Sequence, residues 1–268
     1  MFNKSNIILL SSICYFGQGS AQTSEPIKDN SFLVEEAYNQ EKVIVQHINM
    51  VNFNSDFSEF EYSFTQEWPL GGMKHQFSYS LPFQYFQRNF SLQNVVLNYR
   101  YQLIHLKKIY FAPRASLIFS LSGSDKNFLT GTEVNLPLSY EISPKITLHV
   151  TEGANYISDE FLTDSKAVNR SSYFFAGSVI YSPSSRFNIL CEAVYNTATF
   201  RFHDEILERE NTFILNPGLR GAIDFKSGLQ VVPGISLPLQ YSKNKTETSL
   251  LFYLSFEHPF TKSHEHTD

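Results

Sequence analysis

The sequence predicts an all-β chain, a transmembrane antiparallel up-and-down β-barrel of about twelve strands with short periplasmic turns and longer extracellular loops. Three observations lead there. First, residues 91–120 hold two runs that alternate on a period of two: Val95, Leu97, Tyr99 and Tyr101 fall on one face, Asn94, Asn98 and Arg100 on the other. Phe111, Ala115, Leu117 and Phe119 then oppose Tyr110, Arg114, Ser116 and Ser120. Successive side chains of a strand point to opposite faces, and about 9–11 residues of tilted strand cross a bilayer core. Second, links made of turn formers (69–73, 105–108, 143–144, 183–185 and 226–227) alternate with longer polar ones (83–90, 122–130, 158–170, 202–210 and 241–246). Third, the composition joins 15% aromatic and 42% hydrophobic residues to only 18% charged, with a slightly negative mean hydropathy. A wall with an apolar outside and a polar inside gives that mixture. A soluble sandwich of this size would have shorter strands and would not explain the alternation of the links.

In chain order, residues 1–21 read as a secretory signal peptide. Lys4 precedes the apolar run Ile7–Phe16, and Gly19, Ser20 and Ala21 supply small residues before a cut after Ala21. A lipoprotein reading of Cys14 fits less well, because Ser11, Ser12 and Ile13 are not the usual preceding residues. Only Cys191 then remains, so no disulfide is expected within the mature chain.

Residues 22–42 form a periplasmic leader. Its stretch 31–41 breaks the two-residue rhythm, and Phe32, Leu33, Glu36 and Ala37 suit a short helix that must lean on the barrel. Two readings stay open for it: a plug of the mouth through Glu35, Glu36, Tyr38, Asn39 and Gln40, or merely a structured lead-in. The barrel is expected over 43–260, with strands near 43–53, 58–68, 74–82, 91–103, 109–121, 131–142, 145–156, 171–182, 186–200, 211–225, 228–239 and 247–258. An even strand number returns both ends to the periplasm. Pro113, Pro137, Pro217 and Pro233 fall inside these runs and call for bulges or kinks, because proline lacks a ladder donor. A polar tail, 261–268, follows.

The stretch NSFLVEEAYNQE followed by VIVQHI, then FTQEWPL and KHQFSYSLP, resembles a family of Gram-negative outer-membrane barrels described as predicted transporters and related to the porins of phenol-degradation pathways. The resemblance covers most of the mature chain and is most specific over Glu35–Ile48. It implies a monomeric or loosely associated barrel for small solutes, with no catalytic residues. Relatives are expected to carry a glycine near Lys42, which this sequence lacks.

The alternation assigns Glu59, Glu61, Arg100, Arg114, Glu133, Glu141, Arg220 and Asp224 to the face opposite lipid, together with Glu67, Lys74 and Glu257. A lysine or arginine on the lipid face costs about 2–4 kcal/mol at the midplane, so the lumen is where such charges belong. They line a hydrated passage or pair across a filled lumen, since about twelve strands lie between filled eight-stranded barrels and open sixteen-stranded porins.

An enzyme is not expected. No G-x-S-x-G elbow occurs and His75, His149 and His203 lack triad spacing, with an outer-membrane lipid hydrolase kept as an alternative. His258, His264, Glu265 and His266 are read as solvated, and no metal or cofactor is called for. A second alternative is a surface-interaction barrel acting through 158–170 and 202–210. The expected partners are outer-membrane lipid, small-molecule solutes and the outer-membrane assembly machinery. The net charge of −5 leaves no basic footprint for nucleic acid.

Overall fold

A computed structural model describes residues 27, 31–121, 128–162, 166–202, 205–243 and 245–259. The expected signal peptide and C-terminal tail, with His203, His264, Glu265 and His266, lie outside these residues.

Twelve strands make the wall. They are β1 (Ile44–Asn54), β2 (Phe60–Pro69), β3 (His75–Phe86), β4 (Asn89–Leu92, Val95–Tyr101 and Ile104–His105), β5 (Ile109–Phe111 and Arg114–Phe119) and β6 (Leu129–Ser143). The second half comprises β7 (Ile146–Leu162), β8 (Lys166–Ser184), β9 (Phe187–Phe202), β10 (Glu205–Gly221 and Ile223–Asp224), β11 (Gln230–Ser236 and Leu239–Ser242) and β12 (Lys245–Pro259). Each pairs antiparallel with the next. The sheet closes where β1 meets β12, from Ile44 opposite Pro259 to Asn54 opposite Ser249. Closure leaves no unpaired edge, which a lipid core demands of any sheet.

The prolines account for the split strands. Pro113 faces the break at 102–103, Pro137 the break at 112–113, Pro217 the break at 237–238 and Pro233 the break at 222. A proline offers its neighbour an acceptor but no donor. One bond therefore survives at such a break, as where Tyr101 N donates to Pro113 O at 3.0 Å and Leu237 N to Pro217 O at 3.0 Å. The expected irregularities thus fall largely on the strands beside the prolines.

The strands outlast the expected ones on the side away from the termini. β7 has 17 residues and β8 has 19, so most of the link expected at 158–170 is strand. The same holds at 202–210, where β10 starts at Glu205. About 9–11 residues cross a bilayer, and the surplus extends the hairpins beyond it.

Outward positions carry large apolar side chains, among them Tyr99, Leu117, Val134, Phe175, Tyr195 and Phe252, all exposed. A water-soluble surface rarely shows so continuous an apolar face, whereas lipid is its natural solvent. Among the described residues no helix is long and apolar enough to cross a membrane. Inward positions are largely polar and yet buried: Gln46, Gln76, Asn98, Arg100, Ser139, Glu192 and Asn216. An inward side chain is buried only when something fills the lumen in front of it.

Candidate functional site

The filling is the leader. Residues 31–41 run across the lumen as a bent, extended chain with no helical turn, which corrects the expected short helix. Backbone N–H groups that a helix would keep for itself go to the wall. Leu33 N and Val34 N donate to Glu192 Oε1 at 2.8 and 2.9 Å, and Ala37 N to Ser139 Oγ at 2.8 Å. Asn39 N donates to Gln102 Oε1 at 3.1 Å and Gln40 N to Gln76 Oε1 at 2.6 Å. Buried backbone donors must be paired, and here side chains of β3, β4, β6 and β9 replace the helical ladder.

Three anchors fix the segment. At one end Phe32 lies in an apolar patch with Ile48, Leu190, Val232, Leu251 and Tyr253, its ring 5.2 Å from that of Tyr253. Gly218 and Gly234 make the seat. A Cβ would stand 2.6 Å from the ring at the first and 2.7 Å at the second, so only glycine lets the Phe32 ring lie so close to β10 and β11.

The second anchor is Glu36, fully buried. It accepts from Ser31 Oγ at 2.9 Å and from Arg220 Nη2 at 3.4 Å, with His149 Nε2 at 3.7 Å. Ser139 Oγ lies 2.7 Å from His149 Nδ1, so a serine, a histidine and a carboxylate do meet, although their spacing in sequence gave no sign of it. Ser139 is already the acceptor for Ala37 N and is wholly buried, so no substrate reaches it. The carboxylate belongs to the leader, and displacing the leader dismantles the trio.

The third anchor is Glu35. Arg100 donates to it through Nε at 3.1 Å and Nη2 at 2.5 Å, Arg114 through Nε at 2.9 Å, and Asn135 through Nδ2 at 2.9 Å. Thr151 Oγ1 donates to the Glu35 carbonyl at 2.8 Å. Burial alone would raise the Glu35 carboxyl, but Arg114 and Arg100, helped by Asn135, hold it down to about 2. Arg114 also reaches Glu133 at 2.9 Å, Ser116 at 2.7 Å and Asn98. Beyond the anchors along the chain, the Tyr38 ring packs edge-on against Tyr110 at 4.7 Å. Burial, then the nearby Glu36 and Glu141 carboxylates, pushes its hydroxyl well above the ordinary range.

The residues expected to line a passage therefore divide. Arg100, Arg114, Glu133 and Arg220 gather on the leader or beside it, with Glu141 near Tyr38. Glu61 lies toward the opposite mouth, in a cavity of about 400 Å³ bounded by Leu33, Asn52, Gln84 and Leu251. Glu59 is near it, its backbone N–H donating to Asn54 in the turn between β1 and β2. Asp224 stands apart, on the short turn between β10 and β11, accepting from Arg186 and Gln230. Lys74 is exposed on the turn after β2.

Glu192 was not among the expected residues. Its inward parity was the available signal, a carboxylate flanked on the inward face by Leu190 and Val194.

No protein-family model matches the chain, and no curated protein matches it. Among solved structures it is similar to the NanC porin, with a TM-score of 0.51 at 11% identity over 78% of this chain and 98% of that one. It also aligns with the KdgM porin, with a TM-score of 0.48 at 9% identity over 82% of this chain and all of that one. At such identities the likeness speaks for the fold alone, a closed antiparallel β-barrel.

Proposed function

We propose that this chain passively admits small solutes across the outer membrane, through a lumen that its own leader holds closed. One observation carries the reading. The obstruction is a segment separate from the wall, held largely by hydrogen bonds and ion pairs that water can replace when it leaves. Barrels that are merely filled do so with side chains of their own strands. The wall behind the leader is polar and charged, as a hydrated passage requires.

The finer parts of the reading follow from the sequence. Export depends on cleavage after Ala21, the assembly machinery inserts the barrel, and lipid covers the apolar belt. The resemblance to predicted transporters linked with phenol-degradation porins points the same way. Catalysis has no part in this reading: among the described residues Ser139 and His149 pair beneath the leader, and the Glu36 carboxylate beside them departs with it.

Conductance of the refolded mature chain, residues 22–268, is the test, set beside a chain beginning at residue 42. The full chain is expected to be mostly silent in a planar bilayer and the shortened one to show discrete steps. Silence from a shortened barrel with native strand content would end the proposal.

A further inference from the structure

We propose that the Arg100–Arg114–Asn135 face of the lumen is a binding site for the carboxylate of an anionic solute, and that Glu35 occupies it as an internal stand-in while the barrel is closed. The geometry is that of a receptor. The two oxygens of Glu35 take donors from two guanidiniums and an amide on three adjacent strands, β4, β5 and β6. Planar forks suit carboxylates in this way, and two of them on one anion give orientation as well as attraction.

The site also depends unequally on its occupant. Arg114 is held from the wall by Glu133, Ser116 and Asn98, so its fork keeps its aim when the leader leaves. Arg100 has its hydrogen-bond partners, Glu35 and the Tyr38 carbonyl, only on the leader. Displacement therefore uncovers a cation with no carboxylate of its own beside one that is already oriented. A largely buried guanidinium left so is costly, and a solute carboxylate relieves that cost.

Solvent reaches the cluster even in the closed barrel. The side chains of Arg114 and Glu133 keep 15% and 21% of their exposure, against 4% for Arg100. An entering anion thus meets the Arg114 edge first. The tethered Glu35 competes at an effective concentration on the order of millimolar, so solutes at similar concentration can exchange with it. Substrate and gate are then one equilibrium, in which the solute that fits the site also opens the way to it.

The proposal rests on passive passage only for its transport consequence, and binding is read separately. In detergent, a glutamate-specific protease cuts after Glu36, which is buried when the leader is docked. Sodium gluconate is the probe, with glucose as its neutral counterpart and sodium chloride at the same ionic strength as the screening control. Gluconate is expected to speed that cut on the order of fivefold over chloride, the lower end of usual couplings between two ligands of one protein. Glucose should leave the rate alone, Glu35→Gln should raise it without any solute, and the Arg100→Gln/Arg114→Gln pair should lose the gluconate increment whatever its basal rate.

A Phe32→Ala background loosens the far anchor and gives a weaker competitor. If gluconate matches chloride both there and in the native chain, or works equally well without the two arginines, the site is overturned. Swelling of proteoliposomes carrying Glu35→Gln in glucose and in gluconate separates the two readings. Protease response without swelling in either solute keeps the site and removes the passage, and swelling in both without protease response does the reverse.

Discussion

At the scale of single residues, Glu35 shows how a buried carboxylate becomes an anchor. Its carboxyl titrates at about 2 when docked and near 4.5 when free. Because the docked value is the lower one, its contribution, on the order of 3 kcal/mol, is complete above the free value and drains away as pH falls toward the docked one. Channel openings of the native chain should therefore be as rare at about pH 5 as at pH 7 and become frequent only in stronger acid, below about pH 4. Openings that multiply between pH 7 and pH 5 would assign the latch to another group.

Val43 makes a second residue-scale case. It joins the leader to β1 with φ at +65°, a left-handed conformation unfavourable for a β-branched side chain and free for glycine. The glycine expected near Lys42 in relatives thus has a physical counterpart one residue on. Val43→Gly should relieve strain of about 1–2 kcal/mol and raise the thermal midpoint of the detergent-solubilised barrel, and a lowered midpoint would show that the bend is not where strain is held.

At the scale of elements, the wall was legible, whereas of the leader only the possibility of a plug could be read and not its extended shape or its partners, for one reason. A strand declares itself through a period of two that any ten-residue window displays, so Arg100, Arg114, Glu133 and Arg220 were placed inward from parity alone. The leader's partners are remote: Val34 meets Glu192 across 158 positions and Glu35 meets Arg114 across 79. Local propensity favoured a helix over 31–41 because it counts only donors and acceptors nearby. The lumen supplies better-placed acceptors from four other strands, and the helix loses.

Asp224 marks the same limit from the other side, since parity put it inward while a break at Ala222 and the rim brought it to Arg186. Element length gives a further expectation. β7 pairs regularly with β8 from Ile146 to Ile157 and shifts register before Glu160, after enough residues to cross the core. In the leaderless barrel, deleting 159–168, which leaves Ser158 and Asn169 as a two-residue turn between the paired Ile157 and Arg170, should leave assembly and conductance unchanged, read by strand content and single-channel steps. Loss of conductance would place the extended hairpin within the passage.

At the scale of the whole molecule, the barrel's charges form a circuit that the leader completes. Arg100 and Arg114 stand on one wall and Arg220 on another, and the leader sends Glu35 to the first pair and Glu36 to the second site. With the leader in place these charges cancel at short range and the lumen is nearly neutral there. Without it, two guanidiniums face the passage with Glu133 as the adjacent wall carboxylate, and a charge-lined constriction with that balance favours anions. The leaderless barrel should therefore show a reversal potential in a salt gradient that favours anions. Arg100→Ala with Arg114→Ala should shift it toward cations, because Glu133 then stands alone. An unchanged potential would mean that ions bypass this wall, and the route would have to run along the opposite side, past Glu61 and the cavity beneath the extracellular mouth. The same variants in the full chain should also release the leader, since Glu35 loses its partners. Selectivity and closure would then fail together in a single pair of substitutions, as expected when the residues that choose the solute are also those that hold the gate.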